Sequence, residues 1–229
     1  MRKSFTIFFV SLLGFFLIQT SFAAAEVVYS LDFSKMENGK AVKWLKANGF
    51  DLKRDASDMS LYFENGALVV DVKDDITGLI CKKVNIKGAK SVRIEWGVNI
   101  YPKGANWEKG VFREAIGLVI TFGTKKIDSG SFYVPNMPYF IGLFLGESEK
   151  EGKAYTGNYY KKGGRYFCSP CGNPVNKTVV TQFNLNAKFK SQFKESVVPP
   201  ITGIAFESDV SDTKGRSKAY IRKIEFLSE

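Results

Sequence analysis

Hydrophobic and polar residues alternate along most of this chain, and the period is two. The clearest run is residues 91–100. Val92, Ile94, Trp96, Val98 and Ile100 fall on one side, and Ser91, Arg93, Glu95, Gly97 and Asn99 on the other. That pattern predicts a half-buried antiparallel strand with its apolar side toward a core. Residues 61–63 and 68–70 flank Asn65-Gly66, a pair that readily takes positive φ and so predicts a tight hairpin. Residues 27–33, 79–84, 139–145, 178–183, 201–206 and 219–227 read as further strands. Residues 115–122 are apolar on both faces and should lie centrally. Leu185, Phe189 and Phe193 recur four apart with lysines between them, which predicts one short helix, and Pro199-Pro200 forbids its continuation. No long helices alternate with the strands, which argues against a parallel α/β sheet. The expected fold is all-β: an antiparallel β-sandwich of jelly-roll type with one short helix. Residues 146–177, rich in Gly, Lys and Tyr, read as a long irregular loop. Loops of that length in compact domains are usually functional or mobile.

The amino terminus departs from this pattern. Arg2 and Lys3 precede an apolar run over residues 5–18, and Ala23-Ala24-Ala25 supplies small residues for cleavage. Residues 1–25 therefore read as an export signal, with a single β-sandwich domain over 26–229 that begins at Glu26 and is periplasmic or secreted. No second apolar run is long enough to span a bilayer. The formal charge of +10 is spread over many lysines. It implies a solvated surface with weak attraction to acidic envelope components such as anionic polysaccharide. No recognition motif points to nucleic acid.

The chain has no histidine. That removes the usual general base, the commonest metal ligand and any Ser-His or Cys-His pair. Chemistry would rest on carboxylates, Tyr, Lys or Cys. Cys168-Ser169-Pro170-Cys171 lacks the following His of a haem attachment site and the four ligands of a zinc site. In an oxidising compartment a Cys168–Cys171 disulfide clipping the loop is expected, with Cys81 free, though Cys81 could pair with either instead. Glu207-Ser208-Asp209-Val210-Ser211-Asp212 resembles the E-x-D-x-x-E strand motif of laminarinase-like glycosidases. On an extended strand Glu207 and Asp209 share a face, as a catalytic pair must. Asp32, Asp209 and Glu225 could hold a structural Ca²⁺ if their strands meet. Trp107, Tyr155, Tyr159, Tyr160 and Tyr166 fall in expected loops and could offer flat rings to sugar faces, whereas Trp44 and Trp96 read as core.

Three segments taken together carry a family resemblance. They are Leu31-Asp32-Phe33 with the following 39–44; Ile94-Glu95-Trp96-Gly97-Val98 with 102–105 and the strand ending at Phe122; and 201–206 with Asp209-Val210-Ser211-Asp212-Thr213, then Ala219-Tyr220 and Ile224-Glu225-Phe226. Their order and spacing resemble the exported bacterial proteins of domain-of-unknown-function family 3047. The resemblance implies a sandwich similar to carbohydrate-binding modules, with the first and last strands neighbours, and no established activity. The chain departs from the family pattern where Arg113-Glu114 replace an acidic pair, Leu118 replaces an Arg and Ser211 replaces the second Asp of an Asp-x-Asp-x-Thr turn. The resulting expectation is a non-catalytic binding module with carbohydrate as its ligand class. A carboxylate-dependent glycosidase or lyase using Glu207 and Asp209, and an envelope structural or interaction protein, are the alternatives.

Overall fold

The computed structural model describes residues 25–172, 175–213 and 215–229. Of the segment expected to be an export signal, residues 1–24 lie outside them. Two sheets face each other. In chain order the strands are β1 (Val27–Asp32), β2 (Gly39–Lys40), β3 (Phe50–Arg54), β4 (Ser60–Glu64), β5 (Ala67–Val72), β6 (Thr77–Ile86), β7 (Ser91–Ile100), β8 (Glu114–Ile127), β9 (Met137–Gly146), β10 (Gly164–Cys171), β11 (Val179–Asn184), β12 (Ile201–Asp209) and β13 (Ser217–Leu227). The helices are α1 (Val42–Ala47) and α2 (Leu185–Phe193). One sheet runs β11-β7-β13-β5-β4-β2, with β1 also on β13, and the other runs β10-β9-β8-β12-β6-β3.

Alternation dictates the core. Val92, Ile94, Trp96 and Val98 of β7 face Leu118, Ile120 and Phe122 of β8 and Ile204 and Phe206 of β12 in one cluster of buried side chains. Trp96 is fully buried, and its indole N–H donates to Thr181 Oγ1 at 2.9 Å. Thr181 Oγ1 in turn donates to the Ser169 carbonyl at 2.6 Å, so the polar end of a core tryptophan is satisfied. The Asn65-Gly66 turn has φ of 52° and 68° and joins β4 to β5 as the sequence predicts. The terminal strands are antiparallel neighbours, Leu31 opposite Ile224 and Asp32 opposite Lys223. Strand β8 is central, between β9 and β12.

Besides the short strands β2 and β3, which the alternation did not announce, three features differ from the sequence expectation. The first is α1, only six residues long with Leu45 its buried residue, too short to display a 3.6-residue period. The second is β10, which lies inside the stretch expected to be irregular. The third is its direction: β10 pairs with β9 in parallel, Phe167 opposite Leu143, whereas every other pair is antiparallel. A parallel neighbour needs a crossover of about a dozen residues or more, and residues 147–163 supply it. The long Gly- and Lys-rich stretch is therefore a crossover plus an edge strand. Cys168 and Cys171 are joined near the end of β10, and Cys81 on β6 is a free, half-buried thiol.

No helix among the described residues is long and apolar enough to cross a membrane. Replacing Trp96 by Ala should destabilise the domain by about 3–5 kcal/mol in urea denaturation, as for large aromatic truncations in cores. A change under about 1 kcal/mol would contradict its placement at the centre of the sandwich.

Candidate functional site

The outer face of the six-stranded sheet carries a pocket of about 320 Å³ lined by Arg54, Thr77, Trp107, Phe112, Arg113, Glu114, residues 157–160, Tyr166, Glu207, Asp209 and Ser211. Its floor is made by β12 and β8. Phe206 and Ser208 point inward and are buried, so Glu207 and Asp209 share the outer face. The register of β8 places a third carboxylate beside them. Glu207 sits opposite Gly117, but Asp209 sits opposite Glu114, so β8 carries one extra residue over this step. This β-bulge reverses the parity of β8 at its start and turns Glu114 onto the face of Glu207. A Cβ on Gly117 would lie 3.7 Å from Glu114 Cγ and 3.8 Å from Glu207 Cβ, which places all three on one side.

Glycine makes the trough beside them. A Cβ on Gly142 of β9 would overlap the Tyr166 ring, which comes across from edge strand β10. The ring lies over the side-chain-free positions, and the Tyr166 hydroxyl donates to Glu207 Oε2 at 3.3 Å. Trp107 forms the adjoining wall. Its ring stacks on Phe144 at 4.8 Å and packs at an angle against Phe112 at 4.9 Å and Tyr166 at 4.8 Å. The crossover brings Tyr159 and Tyr160 to the rim. The Tyr160 backbone N–H donates to the Ser129 carbonyl at 2.9 Å, and its hydroxyl donates to the Pro135 carbonyl at 3.0 Å.

The three carboxylates have different surroundings. Asp209 Oδ1 accepts from Thr77 Oγ1 at 2.7 Å, from the Ser211 amide at 3.0 Å and from Ser211 Oγ at 2.6 Å, with Arg113 Nε at 3.4 Å. Arg113 also donates to the carbonyls of Ser211 and Phe112 and to Asp212 Oδ2 at 2.7 Å. Glu207 is pushed up to about 7, first by desolvation and then by the Asp209 charge, against the hydrogen bond from Tyr166 and the charges of Arg54 and Arg113. Glu114 is 4% exposed, and its Oε2 has no hydrogen-bond partner. Burial, then the charges of Glu207 and Asp209, hold its carboxyl well above the ordinary range. Tyr166 is held well above its ordinary value by burial and then by Glu207. The floor thus combines one ion-paired carboxylate with two that favour the protonated form.

The sequence candidates fall into three groups. Glu207 and Asp209 meet Tyr159, Tyr160 and Tyr166 in this pocket. Trp107 and Tyr155 are not open platforms: both are 5% exposed and pack in a small cluster with Phe144 and Cys168, because the crossover folds back over them. Trp107 still closes one side of the pocket, whereas the Tyr155 hydroxyl is spent on Glu108 Oε1 at 2.6 Å. The proposed calcium set is split. Asp32 and Glu225 lie on the seven-stranded sheet, where Glu225 is ion-paired with Arg93 and Lys223, and Asp209 lies on the other. Among the described residues no group of three or more His, Cys, Asp or Glu side chains is placed to hold a metal ion. Sequence alternation missed Glu114, Arg113 and Arg54. Glu114 is hidden by the bulge, since a regular period of two from Ile116 would point it inward.

No protein-family model matches this chain, and no curated protein matches it. Among solved structures it is similar to a variant of the carbohydrate binding module CBM29-2 complexed with mannohexaose, at TM-score 0.39 and 11% identity, covering 90% of this chain and 94% of that one. A second CBM29-2 variant, complexed with cellulohexaose, gives 0.38 and 9% over 90% and 91%. CBM29_1, a family 29 carbohydrate binding module from Piromyces equi, gives 0.37 and 14% over 90% and 91%.

Glu207 makes a signed prediction about stability. Its folded value of about 7 lies above the 4.5 of a free glutamate, so between these values the folded state binds more protons than the unfolded one. Its contribution should be fully present below about 4.5 and be lost as pH rises through about 7. Denaturation of wild type and Glu207→Gln across this window should show a difference that grows with pH in favour of the variant. A pH-independent difference would contradict the buried, proton-holding environment.

Proposed function

We propose that this chain is an exported carbohydrate-binding protein, periplasmic or secreted after loss of residues 1–25, and that it holds a sugar unit in the pocket on the six-stranded sheet. The observation that carries this reading is the convergence of aromatic rings and hydrogen-bonding side chains on one concavity. Tyr159, Tyr160, Tyr166 and the edge of Trp107 provide ring surfaces, and Glu114, Glu207, Asp209 and Arg54 provide donors and acceptors around them. A sugar offers apolar C–H faces and a rim of hydroxyls, and an apolar-walled pocket with a few fixed polar groups suits it. Glycan arrays and affinity gels test this. Tyr159→Ala and Tyr160→Ala should each weaken binding by about tenfold or more, equivalent to about 1.4 kcal/mol. Failure to bind any glycan, or tyrosine variants that bind unchanged, would overturn it.

One observation favours a second reading: Glu207 and Asp209 stand side by side in a pocket rather than on an open edge. Their surroundings differ, Asp209 in an ion pair with Arg113 and Glu207 pushed up to about 7. A carboxyl that holds its proton beside a second carboxylate suits the acid of a glycoside-cleaving pair. In that case incubation with a bound glycan should release new reducing ends, and Glu207→Gln should lower the rate by about a hundredfold or more while binding persists. Intact glycan after prolonged incubation would leave the site non-catalytic.

A further inference from the structure

One cation of the pocket acts on Glu207 and Tyr160 through its charge alone. Arg54 ends β3 and lines the pocket, and among the described residues its side chain makes no hydrogen bond or ion pair. Its backbone holds φ 52° and ψ −135°, an unusual conformation for a residue with a side chain. Arg113 is different, engaged by Asp209, Asp212 and two carbonyls. Of the floor carboxylates, Asp209 is ion-paired with Arg113, which it shares with Asp212, Glu207 and Glu114 are both pushed toward the protonated form, and Glu114 Oε2 is unpartnered. A buried polar atom without a partner is costly, and a ligand that supplies the missing hydrogen bond recovers that cost. A guanidinium presents a planar fork that fits a carboxylate with two parallel hydrogen bonds.

Resting on the carbohydrate-binding reading, we propose that the pocket takes an anionic sugar, a uronate unit of an acidic glycan, whose carboxylate sits on Arg54 while its ring oxygens meet the unpartnered Oε2 of Glu114. The surplus of positive charge, spread over many lysines of the chain, favours the approach of such a polymer. Recognition is linked to a proton. The groups facing Glu207 are Tyr166 from β10, Tyr160 from the crossover, Glu114 and Arg113 from the start of β8, Arg54 from β3, the Cys81 thiol from β6 and Asp209 on its own strand. When Glu207 ionises it adds a negative charge beside the bound uronate. Affinity therefore falls as pH rises through about 7, by at most tenfold per pH unit for a single linked proton.

Calorimetry with matched probes tests this: oligogalacturonate, oligomannuronate and hyaluronan fragments, each against its carboxyl-reduced neutral counterpart. At least one acidic probe should bind about tenfold or more tighter than its neutral form. Arg54→Met should abolish that preference, Arg54→Lys should retain part of it, and Lys125→Ala, outside the pocket, should leave it unchanged. Glu207→Gln should remove the pH slope between about pH 5.5 and 8.5, a range in which a sugar carboxylate stays ionised. Thermal denaturation of each variant checks that it folds. Neutral counterparts bound as tightly as the acidic probes, or an undiminished preference in Arg54→Met, would overturn the uronate assignment and leave carbohydrate binding standing. Failure of every acidic and neutral glycan to bind would overturn the carbohydrate reading itself.

Discussion

Three carboxylates crowded onto two neighbouring strands impose the constraint that organises this face of the protein. Glu207 and Asp209 on β12 and Glu114 on β8 cannot all be ionised at short range away from water. The structure meets the difficulty unevenly. Asp209 receives Arg113, Thr77 and Ser211, while Glu207 receives the Tyr166 hydroxyl. Glu114 receives burial with one oxygen unanswered. Each of those partners fixes something further. Arg113 ties the start of β8 to the turn at Ser211 and Asp212, and Tyr166 requires Gly142 beneath its ring.

The wall of the pocket is coupled to the core of the sandwich. Phe144 points outward from β9 and stacks on Trp107, and Cys168 on β10 belongs to the same cluster. The Cys168–Cys171 bridge lies beside Ser169, whose carbonyl accepts from Thr181, which in turn accepts from Trp96 at the centre of the core. Strands β7 and β11 of one sheet are thereby linked to the edge strand of the other that carries Tyr166. A short disulfide ring constrains the unfolded chain little, so its effect is local: it fixes the end of the strand that supplies the pocket's central ring.

Period-two alternation sufficed for most strands, for the Asn65-Gly66 hairpin and for the core face of β7, because each is a local property of a few consecutive residues. It also put Glu207 and Asp209 on one face. It failed at β10, whose partner β9 is reached only through a crossover, and whose parallel pairing leaves no local turn signal. It failed again at Glu114, where one bulged residue changes which side the chain presents. The aromatics were legible as a group but not by exposure: Trp107 and Tyr155 are buried by packing among themselves, and nothing in their spacing announces it. Site residues contributed by a bulge or by a crossover depend on pairings distant in sequence.

Strain and desolvation meet at this pocket. Six described non-glycine residues have positive φ. Asn65 belongs to the hairpin turn, Lys194 caps α2 and Asn176 stands in a turn, each with a local reason. Asp212, which holds Arg113, also stands in a turn, and the remaining two, Arg54 and Tyr160, line the pocket. Such backbone conformations cost about 1–3 kcal/mol each, and a buried unsatisfied polar group costs about 1–3 kcal/mol more. In a domain whose net stability is of order 5–15 kcal/mol, part of that cost falls on this concavity, and Asp71 and Tyr101 carry buried unpartnered oxygens elsewhere. A surface with no task could relieve it with a glycine at Arg54 or an apolar residue at Glu114. A bound ligand relieves it differently, by supplying the carboxylate that Arg54 lacks and the hydrogen bond that Glu114 lacks, so that the features which weaken the free protein are those that would strengthen the complex.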